Sequence, residues 1–141
     1  MQDKPGRRGV STWHHWLESW LTEIDIPLPE NLPDDQFAVS TESGIQYVLE
    51  NCIDHLTFSM RFPAAGYREE VLATHLLRVA DPQQSRPFCI RLGHDGVKYL
   101  IVCVQLDTNQ HKIHDLDASF KQLWNIAEDL LALSVLSLIH I

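Results

Sequence analysis

Clustered positive charge is largely missing from this sequence. Its 11 Lys and Arg stand against 19 Asp and Glu, and the net charge is -8 with histidine neutral. The one basic cluster, Lys4, Arg7 and Arg8, falls in a polar N-terminal stretch. Holding a phosphate backbone needs Lys and Arg concentrated on one surface, so nucleic acid is not an expected partner. Cysteine is scarce too. Cys52, Cys89 and Cys103 are an odd number without C-x-x-C spacing, and Cys89 and Cys103 fall in apolar strand-like runs where a free thiol serves as a small hydrophobe. A reducing, cytoplasmic compartment fits this better than a disulfide framework. Long apolar runs are also absent. The N-terminus lacks the core of a signal peptide, and the stretch from Leu130 to Ile141 is shorter than the roughly 20 residues of a membrane helix. A soluble protein with no membrane partner is expected.

Recognisable reaction chemistry is equally sparse. There is no phosphate-binding glycine loop and no G-x-S-x-G turn, and no sequence pattern sets a nucleophile beside a base. The 8 histidines include His111 and His114 in HKIH and the adjacent His14 and His15. A zinc site wants four ligands at recognisable spacing, and no cysteine pair lies near these. His75, on the apolar side of a helix, reads as a hydrogen-bonded core or interface histidine, and in an interface it would make association pH-dependent. No catalytic residue, metal or cofactor is expected, and the chain reads as a non-enzyme.

What is present is apolar patterning. With 45% hydrophobic residues in 141, the chain is the size of one domain with its own core. Trp13, Trp16, Leu17, Trp20, Leu21 and Ile24 recur at i, i+3, i+4, i+7, i+8 and i+11, one stripe of an amphipathic helix, with Ser11 or Thr12 as its cap. The stripe reads as core, with the alternative that part of it holds a partner. Pro27, Pro29 and Pro33 then impose an extended linker. Three strands follow: QFAVST, IQYVLE and HLTFSMRF. The last sets Leu56, Phe58, Met60 and Phe62 against Thr57, Ser59 and Arg61, the alternation of a half-buried antiparallel strand.

A second helix, YREEVLATHLLRVA, carries Val71, Leu72, His75, Leu76 and Val79 on one side. Its apolar arc is wider than one sheet contact needs, which fits a second contact with a symmetry mate. FCIRL and VKYLIVCVQL are strands joined by an Asp95-Gly96 turn, the second apolar on both faces and so expected either as a central strand or against an interface. The last helix starts near Leu116, with Phe120, Leu123, Trp124, Ala127, Leu130 and Leu131 as its stripe. The order α-β-β-β-α-β-β-α predicts an α+β domain, an antiparallel twisted sheet with helices packed on it. Residues 1–10 are expected as a flexible polar tail, 11–133 as the domain and 134–141 as an apolar C-terminal extension.

EEVLATHLLRVADPQQSRPFCIRLGHDGVKYLIVCVQLD and DLDASFKQLWNIAEDLLAL carry a further observation. The first resembles the second helix, strand, D-G hairpin and apolar strand of the class I type III secretion chaperones, the CesT- and SycE-like family. The second is similar to that family's closing helix. The likeness spans about residues 11–133. It departs from the pattern in a longer tail and proline-rich linker, and in DPQQSRP where the family has a glycine-rich segment. The resemblance implies a cytoplasmic bacterial homodimer that keeps the N-terminal segment of one or more secreted effectors extended and competent for secretion, with the secretion ATPase as a further partner. It also implies site residues. Trp13, Trp16, Trp20, Phe58, Met60 and Phe62 would form hydrophobic effector-binding patches, and Leu72, His75, Leu76 and Val79 the dimer contact through the second helix. Two alternatives stay open: a same-fold adaptor or regulator that sequesters a transcription factor or secretion-apparatus component, and a small enzyme using the histidines.

Overall fold

Proline suits the first position of a helix, because its φ is preset and its missing N–H would have had no partner there. Helix α1 accordingly runs Pro5–Glu23, beginning inside the segment expected to be a flexible tail. The apolar stripe starts only at Trp13, so periodicity alone could not see the first two turns. The computed structural model describes residues 5–52, 54–63, 69–79, 91–95 and 99–139. Cys89 and Gly96 lie outside these residues, as do the side chains of Leu76 and Val79.

At its C-terminal end, α1 closes in a Schellman arrangement. The Ile26 N–H donates to the Leu21 carbonyl at 2.9 Å and the Asp25 N–H to that of Thr22 at 3.2 Å, which satisfies two carbonyls the helix would otherwise leave open. Asp25 takes the left-handed position, at φ 58°, where glycine is usual. The proline linker then folds back along α1. The Trp13 indole N–H donates to the Pro33 carbonyl at 2.6 Å, and His14 meets the Asp34 carboxylate at 3.0 Å. These ties deliver the chain to the first strand.

Five strands make one sheet: β1 (Gln36–Ser40), β2 (Gln46–Asn51), β3 (Leu56–Pro63), β4 (Arg91–Asp95) and β5 (Tyr99–Leu106). Their order is β1-β2-β3-β5-β4, and every pairing is antiparallel. β5 is an inner strand, one of the two placements its apolar run allows, while β1 and β4 are the edges. Gly44, at φ 87°, makes the turn from β1 to β2, its N–H bonded to the Thr41 carbonyl. The register of β3 sets Phe58 between Leu49 and Val104 and Met60 between Tyr47 and Val102, so apolar positions align across three strands on one face.

Helix α2 (Glu69–Val79) and helix α3 (Ile113–Ile139) complete the chain, and α3 packs on α1, α2, β3 and β5. The Asp115 carboxylate accepts from the Lys112 N–H at 2.8 Å, the reach-back of a capping box. The core joins Trp13, Trp16, Leu17, Trp20 and Leu21 of α1 to Phe58, Met60 and Phe62 of β3 and to Leu116, Leu123, Ile126, Ala127 and Leu130 of α3. Among the described residues, no helix is long and apolar enough to cross a membrane. The α+β architecture and its element order are those the sequence predicts.

Candidate functional site

The six positions expected to offer apolar patches do not reach the surface. Trp13, Trp16, Trp20, Phe58, Met60 and Phe62 are all buried, and three of them show why. Trp20 sits edge-on to Phe58 with ring centroids 4.8 Å apart and near Phe120 at 5.8 Å, while the Trp13 indole is spent on Pro33. The α1 stripe is core, as its periodicity suggests, and it meets the inward face of β3, so the two close the core between them instead of forming the patches the resemblance implies. They shape the surface from beneath.

On α2, Leu72 is likewise buried in the core of its own chain rather than offered to a second copy. α2 packs on α3, and its apolar Leu72 goes to that shared core first. His75 is half-buried, and its Nε2 is enclosed without a hydrogen-bond partner among the described residues. It borders a shallow depression with Glu70, Val71, Thr74 and Arg78. Among the described side chains of α2, Leu77 is 70% exposed.

Among the described residues, an apolar-lined groove of about 380 Å³ is formed elsewhere by Ile24, Ile26, Val39, Thr41, Tyr47, Phe120, Lys121 and Trp124. Each element brings its part for a local reason. The Schellman closure of α1 turns Ile24 and Ile26 to one side of the strained Asp25. The alternation of β1 directs Phe37 and Val39 toward the helices and leaves Gln36, Ala38 and Ser40 exposed. Tyr47, one position in from the edge, pairs with Val39.

Trp124 stands at the margin of the groove, 40% exposed. Its ring stacks on Tyr47 at 5.7 Å and 18°, and its indole N–H donates to the Glu128 carboxylate at 2.6 Å. That bond spans one turn of helix and holds the ring in place. Phe120 lies edge-on to Tyr47 at 5.0 Å and passes the contact inward to Phe58 at 5.7 Å. Burial, and then the nearby Glu128 charge, push the Tyr47 phenol well above its ordinary range.

Beside the groove lies an unpaired edge. β1 is the first strand of the sheet, and among the described residues no strand pairs with its outer side. An extended chain can hydrogen-bond along such an edge while alternate side chains enter an adjoining pocket.

The sequence did not single out this site, although it had placed Ile24, Tyr47, Phe120 and Trp124 on apolar stripes. A stripe names a helix face, not the residue at its exposed margin. The signal that was available is Trp124 with an acid four residues on, the spacing at which an indole and a carboxylate meet on one helix face.

Among the described residues, the histidines are dispersed. His14 pairs with Asp34, His55 with Asp54 and His114 with Asp115, and the His111 ring accepts from the Asp107 N–H at 2.9 Å. Among the described residues, no three His, Cys, Asp or Glu come together as a metal site would require.

No protein-family model matches the sequence, and comparison with curated proteins finds no match. Solved structures do match. A chain of the heterodimeric ExoU–SpcU complex from the type III secretion system of Pseudomonas aeruginosa is 19% identical, with a TM-score of 0.60, covering 83% of this chain and 96% of that one. A chain of the ExsC–ExsE complex is 14% identical, with a TM-score of 0.63, covering 84% and 90%. A chain of the Yersinia pestis type III secretion chaperone SycH in complex with a fragment of YscM2 is 18% identical, with a TM-score of 0.51, covering 86% and 95%. At these identities the likeness is one of fold: the chain has a type III secretion chaperone-like fold.

Proposed function

We propose that this chain is a chaperone of bacterial type III secretion, acting in the cytoplasm by binding and without turnover. It holds the N-terminal segment of one or more secreted effectors extended and soluble until the secretion apparatus, its ATPase included, takes the complex. The observation that carries this reading is the apolar, aromatic-lined groove at the open edge of β1, in a fold shared with chains of chaperone complexes. The client's backbone adds to β1 and its apolar side chains enter beside Trp124 and Tyr47. Two copies associate through α2, with Leu77 and the neighbourhood of His75 at the contact.

Amide hydrogen exchange tests this use of the edge. The complex purified from the source bacterium is compared with the chain alone. Strand addition is expected to slow exchange across Gln36–Ser40 by at least about tenfold, because amides on an open edge exchange through local fluctuations that pairing suppresses. Unchanged exchange over β1 in a client-bound complex would remove the edge from the binding site.

A further inference from the structure

The groove is apolar inside, but the charges at its mouth are largely of one sign. Glu23 and Asp25 flank Ile24 in the chain, and both are exposed. Glu128 holds the Trp124 indole and acts electrostatically on Tyr47. The cation at the rim, Lys121, is already engaged: its ammonium lies 2.9 Å from the Asp117 carboxylate. That hydrogen bond, with Glu23 adding at longer range, raises the lysine pKa. Asp117 thus pairs with the ammonium of Lys121, while Glu23 and Asp25, next to Ile24 in the chain, and Glu128, on the Trp124 indole, are carboxylates close to groove-lining residues.

Asp25 is a costly choice on local grounds. It occupies a left-handed conformation at φ 58°, where glycine is the easier residue. It also puts a negative charge at the C-terminal end of α1, where the helix dipole is itself negative, and no basic residue offsets it in the last turn. When a residue breaks two local rules at the rim of a groove, a role at that rim is the natural explanation.

We infer that the groove takes an extended client segment whose apolar anchor is flanked by lysine or arginine, with Glu23 and Asp25 receiving the flanking cations. This rests on the reading of the groove as the client site and adds the client's chemistry. The same rim would repel a segment with acidic flanks, so selection works by exclusion as well as attraction.

Two synthetic peptides test the inference. They share a core of alternating valine and threonine and differ in flanks of lysine or glutamate, and binding to the full chain is followed by fluorescence anisotropy. At low ionic strength the lysine-flanked peptide is expected to bind roughly tenfold more tightly, the sum of several exposed pairs. The gap should close near 1 M salt, where the screening length falls to about 3 Å. It should also close at low salt in the double variant Glu23→Gln, Asp25→Asn; asparagine tolerates the left-handed position, so the fold is retained. Trp124→Ala should weaken both peptides. If the two peptides bind equally while Trp124→Ala still weakens both, the charge inference falls and the groove stands. A lysine preference that survives the double variant overturns the assignment to Glu23 and Asp25. Absence of Trp124-dependent binding by either peptide overturns the groove and this inference with it.

Discussion

Trp20→Ala is expected to destabilise the chain by about 3–5 kcal/mol, measured by urea unfolding. Trp20 is 2% exposed and joins three elements of the core. It comes from α1, meets Phe58 of the central strand edge-on and approaches Phe120 of α3. Truncation removes the largest ring of this cluster and leaves a cavity that three rigid elements cannot collapse around. A domain of this kind has a net stability of about 5–15 kcal/mol, so this one change takes a large share of it. The result also decides between two roles for the tryptophans of α1. A loss below about 1 kcal/mol, together with weaker client binding, would show that the ring faces a partner rather than the core.

Trp124→Ala is expected to do the reverse. The residue is 40% exposed and its inward contacts are a stack on Tyr47 and a tilted approach to Phe120, so its removal should cost about 1 kcal/mol of stability. Binding should suffer far more. Exposed tryptophans held in position beside an apolar pocket are typical anchors of an interface, each worth about 2 kcal/mol or more on truncation, at least a tenfold to thirtyfold loss of affinity. Glu128 supplies a control, because it holds the ring through the indole N–H. Glu128→Gln keeps an acceptor at that place and should retain most of the binding. Full affinity in Trp124→Ala would mean that the client does not use this groove.

How much of this was legible in the sequence differs from element to element. The alternation of HLTFSMRF gave the central strand and its inward face, because a period of two has one solution when one side is buried. The apolar run of VKYLIVCVQL allowed either an inner strand or one against an interface, and β5 is the former. The start of α1 was missed, because a proline start followed by polar residues carries no hydrophobic period, and capping by Ser11 or Thr12 does not arise within a helix that begins at Pro5.

The candidate site was legible only in part. Periodicity marked the Trp13, Trp16, Trp20 stripe and the Phe58, Met60, Phe62 face as strongly apolar but could not say that they bury one another. Ile26, in the linker, and Val39, on a short edge strand, join Trp124 in the groove only through the closure of α1 and the register of β1 with β2. Those are tertiary facts. Asp25 was invisible for a similar reason: its significance lies in a backbone angle, not in its identity.

Native mass spectrometry of the protein purified gently from its own bacterium tests the central claim most directly. The account predicts a mass equal to two chains plus one secreted protein, with that extra mass missing when the chain carries Trp124→Ala. A bare chain without any bound protein, in wild type and variant alike, would contradict it.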